Sequence, residues 1–208
     1  MILPPGFVGA AFGDAADGDP RRDPEAGRRL SARLGIPPDW AWLRQVHGAV
    51  VLRADGAGPL GEGDAAFTTR PGLPIAVATA DCFPVVIEGD GGTGIAHAGW
   101  RGAAAGVVGA LRQTMSAAGI APRRAAIGPG IGACCFEVGL DVADRFPGRQ
   151  STTAWGTSSV DLRGELVAAL DGLDVWMTEA CTMSDVGYHS FRRDGTALRQ
   201  VAVAWLPD

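Results

Sequence analysis

Residues 74–102, PIAVATADCFPVVIEGDGGTGIAHAGWRG, decide the fold of this chain. They contain three short apolar runs, at 74–80, 83–88 and 93–98, and turn residues separate the runs. Such runs predict buried strands. After the third run, AGWRG leads into an Ala-rich segment, 102–118, whose apolar side chains fall on one side of a predicted helix.

The flanking segments add both helices and strands, without strict alternation between them. Helical spacing and capping residues predict helices over 21–35, 136–146 and 159–170. Extended patterns predict strands over 40–53, with a bulge at Gly48, and over 125–127, 175–178 and 201–206. We find no repeat and no interdomain linker. The pattern therefore predicts an α+β fold in one domain, residues 1–208.

Composition narrows the classes of function. The 208 residues carry a net charge of −5, and every one of the 18 basic residues is Arg because the sequence has no Lys. A Lys Schiff base and a P-loop are therefore excluded, and the acidic charge predicts no nucleic-acid partner. No signal peptide and no apolar run of membrane length is visible, so we expect a cytoplasmic protein with no membrane partner.

Three segments offer groups for catalysis or metal binding: His47 in RQVHG, Cys82 in TADCFP and His97 in IAHAGWRG. Each lies at a predicted strand end or turn. Two imidazoles and one thiolate with an open fourth position match a catalytic zinc site. With an axial Met the same donors suit blue copper, and without metal a Cys–His pair can supply a nucleophile and its base. Spacing alone leaves these three hypotheses open.

Arginines near these segments are candidates for binding an anion. Arg101 follows the strand of His97 at a predicted helix start, where backbone N–H groups also favour negative charge. Arg192 and Arg193 lie in SFRRDG, the predicted basic tip of a hairpin, and can clamp phosphate or carboxylate. Arg44 and Gln45, just before His47, complete the set of substrate-binding candidates.

The remaining thiols and one imidazole have no role in this interpretation. GPGIGACCFEVG, residues 128–139, is predicted as a Gly-rich turn that opens a helix. Its glycines allow either a close approach to a ligand or a tight turn with positive φ. We interpret Cys134, Cys135 and Cys181 as buried thiols rather than ligands, and His189 stays unassigned.

The ordered motifs RQVHG, TADCFPVV, AHAGWRG, IGPGIGACCFEVG, SFRRDG and VAVAWL resemble those of the YfiH-like proteins. This family is described both as polyphenol oxidoreductases (laccases) and as purine nucleoside phosphorylases with adenosine deaminase activity. The resemblance implies a four-layer α/β/β/α sandwich, related to the catalytic domain of the cytotoxic necrotizing factors. It also implies zinc, or copper, held by His47, Cys82 and His97.

The function implied by the resemblance is zinc-dependent phosphorolysis of adenosine or inosine, with purine nucleoside and phosphate as small-molecule partners and with adenosine deamination as a further activity. Three His are too few for a blue-copper centre plus a trinuclear cluster, which disfavours multicopper polyphenol oxidation. A Cys–His hydrolase or amidase, such as one that edits peptidoglycan precursors, is an alternative. A non-enzymatic binding protein with the same fold is another.

Overall fold

The 74–102 stretch contributes strands to two different sheets in the computed structural model, which describes residues 1–207. The first sheet has the strand order β1 (Ala10–Phe12), β13 (Gln200–Ala204), β6 (Ile75–Thr79), β2 (Ala41–Arg44) and β4 (Gly58–Glu62). The second sheet has the order β12 (Asp174–Met177), β9 (Ala121–Ile127), β7 (Phe83–Asp90), β8 (Gly92–Ala98), β5 (Ala65–Thr68) and β3 (Val51–Arg53). A separate antiparallel pair joins β10 (Gln150–Thr152) and β11 (Ser158–Val160).

The helices are α1 (Pro24–Leu34), α2 (Trp100–Ala104), α3 (Val107–Ala117), α4 (Leu140–Ala143), α5 (Leu162–Ala169) and α6 (Phe191–Asp194). Three of them, α1, α3 and α5, cover the outer faces of the two sheets. The side of α1 that carries Leu30 packs on the first sheet, whereas Leu111 of α3 and Leu166 of α5 pack on the second sheet. The layers thus run helix, sheet, sheet, helix, which confirms the predicted α+β sandwich.

Side-chain alternation along the central strands explains why these layers form. In β6, Ile75 and Val77 enter the core between the sheets, while Ala76 faces the side of α1. In β8, Ile95 enters the same core and Ala96 faces α3. Because successive strand residues point to opposite faces, strands that are apolar at every position bury both faces.

Two predicted helices are wrong in extent. The segment 102–118 is not one helix, since α2 and α3 are separated at Gly106, which has a φ of +78°. Within 136–146 only α4 is helical, so the predicted helix is too long, whereas 128–139 does lead directly into α4, with Gly139 as the N-cap. A Cβ on Gly130 would lie 2.4 Å from the ring of Phe83, so this glycine admits an aromatic ring and not a tight turn.

Three further expectations are corrected. The segment 40–53 is not one strand with a bulge, since β2 and β3 belong to different sheets and a loop joins them. The segment 159–170 begins as strand β11 and becomes α5 after the N-cap Asp161, whose carboxylate accepts the N–H of Gly164. The basic SFRRDG segment is a single helical turn, α6, capped by Ser190, and not a hairpin tip.

Candidate metal centre and arginine-lined cavity

His47, Cys82 and His97 come together where the chain passes between the two sheets. His47 lies in the loop from β2 to β3, Cys82 lies in the turn from β6 to β7, and His97 lies near the end of β8. Their donor atoms all lie within 4.8 Å of one another. The two imidazole rings meet edge to face, with their centroids 4.8 Å apart. Three residues distant in sequence therefore form one cluster.

Backbone strain marks both crossings. His47 and Asp81 are the two non-glycine residues with positive φ in the part of the chain that the structure describes, at 62° and 87°. Such conformations cost about 1–3 kcal/mol each and persist only where surrounding contacts hold them. The Asp81 carboxylate accepts the Thr182 hydroxyl at 2.7 Å and the N–H of Arg192 at 2.7 Å. These bonds fix the turn that presents Cys82.

Asp64 organises both imidazoles, and sequence reasoning missed it. Its side chain is fully buried and accepts a hydrogen bond from Nδ1 of His97 at 2.8 Å. It also accepts the backbone N–H groups of three consecutive residues, Val46, His47 and Gly48. Because Nδ1 of His97 donates to Asp64, its Nε2 is left to ligate a metal, as in metal sites where a carboxylate orients the histidine. A lone Asp before a short apolar run carried no signal for this role.

The charges within the cluster favour a thiolate. Burial raises the pKa of the Cys82 thiol, but hydrogen bonds and positive charge from His47 and His97 outweigh burial and lower that pKa to about 6. Burial lowers the pKa of His97, whereas Asp64 and Cys82 raise it, to about 9. A thiolate is both the form of cysteine that ligates metals and the form that acts as a nucleophile.

Gly99 leaves the space that the Cys82 thiolate occupies. A Cβ at position 99 would lie 2.7 Å from Sγ of Cys82 and 3.4 Å from Cδ2 of His47. Any side chain here would displace the sulfur. Gly99, the N-cap of α2, therefore lets Cys82 and His47 pack closely together.

Two imidazoles and one thiolate fit a catalytic zinc ion, because three protein donors leave one coordination position for water or substrate. Blue copper needs in addition a weak axial ligand, commonly Met. Within residues 1–207, no Met lines the cavity around these donors. The donor set therefore fits zinc better than blue copper.

The cluster lies in a cavity of about 850 Å³. Within residues 1–207, Asp81 is the one acidic residue of its lining, and both of its oxygens are engaged. The lining also contains six arginines: Arg21, Arg22, Arg44, Arg101, Arg192 and Arg199. Asp19 and Glu62, outside the lining, form ion pairs with Arg21, Arg22 and Arg44, which leaves Arg101, Arg192 and Arg199 without an ion pair among the residues described. The positive charge of these three suits an anionic ligand.

Three of these arginines were not predicted. Arg21, Arg22 and Arg199 gather around Asp19, which is 4% exposed. Asp19 accepts the backbone N–H groups of Arg21 at 3.1 Å and Arg199 at 3.2 Å, and forms an ion pair with Arg22. Burial and the neighbouring charge of Arg21 lower the pKa of Arg199. Arg199 is 180 positions from Asp19 along the chain, so sequence proximity gave no signal of this contact.

The predicted substrate-binding residues Arg44, Arg101 and Arg192 line the cavity. The guanidinium of Arg101 lies over the ring of Trp100, 4.3 Å from its centroid. Among the residues that the structure describes, Arg101 has no ion-pair partner. Arg192 donates from its guanidinium to the carbonyl of Glu137, and Arg44 forms an ion pair with Glu62. Arg101 is thus the freest of the three to bind a ligand.

The other two predicted residues hold backbone. Gln45 lines the cavity, but its amide both donates to the carbonyl and accepts from the N–H of Ala78, at 2.9 Å each. Arg193 does not line the cavity; its guanidinium donates to a series of backbone carbonyls, among them Thr182 at 2.9 Å and Tyr188 at 2.7 Å. His189, unassigned in the sequence, is half-buried and also lies outside the lining.

Two stacked sheets, outer helices and a His₂Cys cluster at an arginine-lined cavity define the class: an α+β sandwich protein with a candidate metal centre. The chain belongs to the family described as multi-copper polyphenol oxidoreductase laccase, which it matches over residues 6–207. The structure is similar to YfiH from Bacillus licheniformis, with a TM-score of 0.81 and 25% identity over 95% of this chain and 92% of that one. It is equally similar to YlmD from Geobacillus stearothermophilus, with a TM-score of 0.81 and 30% identity over 98% and 94%. The predicted relation to YfiH-like proteins is confirmed.

Proteins related to this chain in sequence carry names that state an activity. The chain is 39% identical to the purine nucleoside phosphorylase ORF3 of Streptomyces griseus, over 96% of this chain and 86% of that protein. It is 38% identical to a purine nucleoside phosphorylase of Deinococcus radiodurans, over 97% of this chain and 83% of that protein.

No helix in the part of the chain that the structure describes is both long and apolar enough to cross a membrane.

Proposed function

We propose that this protein is a zinc-dependent purine nucleoside phosphorylase. In this reaction an oxygen of phosphate attacks C1′ of adenosine or inosine, the bond to the base breaks, and the products are the free base and ribose 1-phosphate. The observation that carries the proposal is the arginine-lined cavity, which also contains the His47, Cys82 and His97 cluster. The names of the sequence relatives support the same reaction.

The chain's own groups suit the two substrates. Arg101 and Arg199 supply fixed positive charge for phosphate, since there is no Lys to do so. Phe136 and Phe191 line the same cavity and supply aromatic surface that suits a purine ring. A volume of about 850 Å³ is within the range of pockets that enclose small molecules. Both substrates thereby meet beside the donor cluster.

Zinc is assigned to His47, Cys82 and His97, with Asp64 orienting His97 through its Nδ1. When bound, zinc supplies a Lewis acid and lowers the pKa of a coordinated water to about 7. That chemistry also supports adenosine deamination as a second activity of this site. A cytoplasmic location without nucleic-acid or membrane partners belongs to the proposal, and four free thiols and a net charge of −5 support it.

The test is a product assay on zinc-loaded protein with adenosine or inosine. We expect release of the base together with ribose 1-phosphate, strictly dependent on added phosphate. Cys82→Ala should lose both zinc and turnover, while Arg53→Gln, which replaces an exposed arginine paired with Asp55, should keep both. If zinc-loaded protein produces neither base nor ribose 1-phosphate, the proposal fails, and a binding protein with the same fold becomes the better hypothesis.

A metal-free Cys–His hydrolase is the second candidate, and one observation favours it. Cys82, His97 and Asp64 form a series of thiolate, imidazole and buried carboxylate, as nucleophile, base and orienting group are arranged in cysteine hydrolases. Metal analysis separates the candidates. Protein that purifies without zinc, reacts rapidly with an alkylating agent at Cys82 and cleaves amides would support the hydrolase.

A further inference from the structure

The three cysteines outside the zinc assignment also form a cluster. Cys134 and Cys135 lie in the turns after β9, and Cys181 lies in the loop after β12. Their Sγ atoms all lie within 4.8 Å of one another, and those of Cys134 and Cys135 are 3.3 Å apart. Cys135 and Cys181 are buried, whereas Cys134 is exposed and opens the cluster to solvent. The spacing corresponds to three donors around one ion.

Backbone contacts hold the two segments together at this point. Thr182 donates its N–H to the carbonyl of Gly130 at 3.1 Å, and an isolated bridge pairs Gly130 with Cys181. Cys135 donates its N–H to the carbonyl of Gly132 at 2.9 Å, which closes the turn. A Cβ on Gly132 would lie 3.3 Å from the sulfur of Cys134 and 3.7 Å from that of Cys181. The cluster is therefore a preformed arrangement and not a chance surface contact.

The backbone also provides N–H donors for a thiolate. Gly132 donates its N–H to Sγ of Cys181 at 3.2 Å. A cation would remove the mutual repulsion that opposes a second and third thiolate here.

The donor set indicates which ion fits. All three donors are thiols, and no imidazole or carboxylate belongs to this group within residues 1–207. Structural zinc sites are almost always closed by four protein ligands. Three thiolates without a fourth ligand suit a soft ion of low coordination number, and soft thiolate donors select Cu⁺.

We propose that Cys134, Cys135 and Cys181 form a second metal site, separate from the His47, Cys82 and His97 centre, which binds one Cu⁺ through three thiolates. Binding releases the remaining thiol protons and changes no oxidation state. The site differs from a laccase centre because it has no imidazole ligand. It replaces the interpretation of these residues as inert buried thiols.

The experiment is an anaerobic titration of fully reduced protein with Cu⁺ against a chromophoric Cu⁺ chelator. Cys82→Ser removes one donor of the first centre and serves as the background. In that background we expect one Cu⁺ per chain. Adding Cys134→Ser, at an exposed position, should weaken Cu⁺ binding by at least about tenfold. Loss of a group that only orients a ligand already lowers metal affinity about 10–100-fold, and Cys134 is itself a proposed ligand. Adding Ser116→Ala, an exposed change on α3, should leave it unchanged.

Circular dichroism confirms that each variant is folded before it is titrated. The proposal is overturned if the folded Cys82→Ser protein retains no Cu⁺, or if Cys134→Ser leaves the affinity unchanged. It is also overturned if the cluster takes Zn²⁺ but not Cu⁺ from competing chelators. Because activity is not measured, failure of this proposal is distinguishable from failure of the phosphorylase proposal.

Discussion

Replacing Asp64 by Asn is expected to weaken both the fold near the metal centre and the affinity for zinc. The carboxylate accepts four hydrogen bonds, two at each oxygen. Oδ1 accepts from Nδ1 of His97 at 2.8 Å and from the N–H of His47 at 2.9 Å. Oδ2 accepts from the N–H of Gly48 at 2.6 Å and from that of Val46 at 3.2 Å.

An Asn side chain keeps one acceptor oxygen and puts an NH₂ group where the other oxygen was. Whichever way the amide turns, two donors lose their acceptor. Each buried donor left unsatisfied costs about 1–3 kcal/mol, so the free energy of unfolding should fall by about 2–6 kcal/mol. A domain with about 5–15 kcal/mol of stability would still fold, though with less margin. Loss of the carboxylate behind a metal-binding His should also lower zinc affinity about 10–100-fold.

Urea unfolding of the metal-free protein measures the first effect, and zinc competition against a chromophoric chelator measures the second. Asp55→Asn is the matched control because Asp55 is 66% exposed and pairs only with Arg53 at the surface. It should change stability by less than about 0.5 kcal/mol. If Asp64→Asn unfolded at the wild-type urea concentration and bound zinc with wild-type affinity, the positioning role of Asp64 would be wrong.

Three further predictions concern glycines and an arginine. Gly99→Ala should lower zinc affinity, because the new Cβ would lie 2.7 Å from Sγ of Cys82 and displace this ligand. Changes to groups behind a ligand already lower affinity about 10–100-fold, so we expect a loss of at least about tenfold. Unchanged zinc competition would contradict this. Gly109→Ala should raise the free energy of unfolding by about 0.5–1 kcal/mol, since Gly109 lies in α3 and no atom within 4 Å would meet its Cβ. A urea midpoint at or below wild type would refute that reasoning. Arg199→Gln should raise KM for phosphate about tenfold or more, because a charge-assisted hydrogen bond contributes about 1.5–3 kcal/mol; Arg53→Gln is the control, and equal KM values in the two variants would remove Arg199 from the phosphate site.

Most helices and strands followed from local pattern, but helix extent did not, and the SFRRDG segment is helical where a hairpin was predicted. The helix predicted over 21–35 is α1, with its N-cap at Asp23 and its end at Gly35. The helix predicted over 136–146 is mostly absent, because Glu137 forms an isolated bridge with Ser159 and Val138 donates its N–H to the carbonyl of Ser158. Apolar spacing cannot tell a buried loop from a helix when a distant segment supplies the backbone partners.

The candidate donors could be read from the residues, whereas their supporting groups could not. His47, Cys82 and His97 stand out because the chain has only three His and four Cys. Asp64 is one of 23 acidic residues, and Arg199 is one of 18 arginines. Their roles depend on which strand lies beside which, and a common residue type gives no signal of that.

By itself, the sequence determined the strand runs within 74–102, the α+β class and the three scarce donors, because composition and side-chain period are local properties of a chain. Only the tertiary structure decided that β6 and β7 lie in different sheets, which makes the Asp81–Cys82 turn a crossing point. It also decided that six arginines share one cavity and that three other cysteines meet. The physical reason is that a site forms from through-space contacts between strands. Contacts between residues distant along the chain produce no periodic pattern in the sequence.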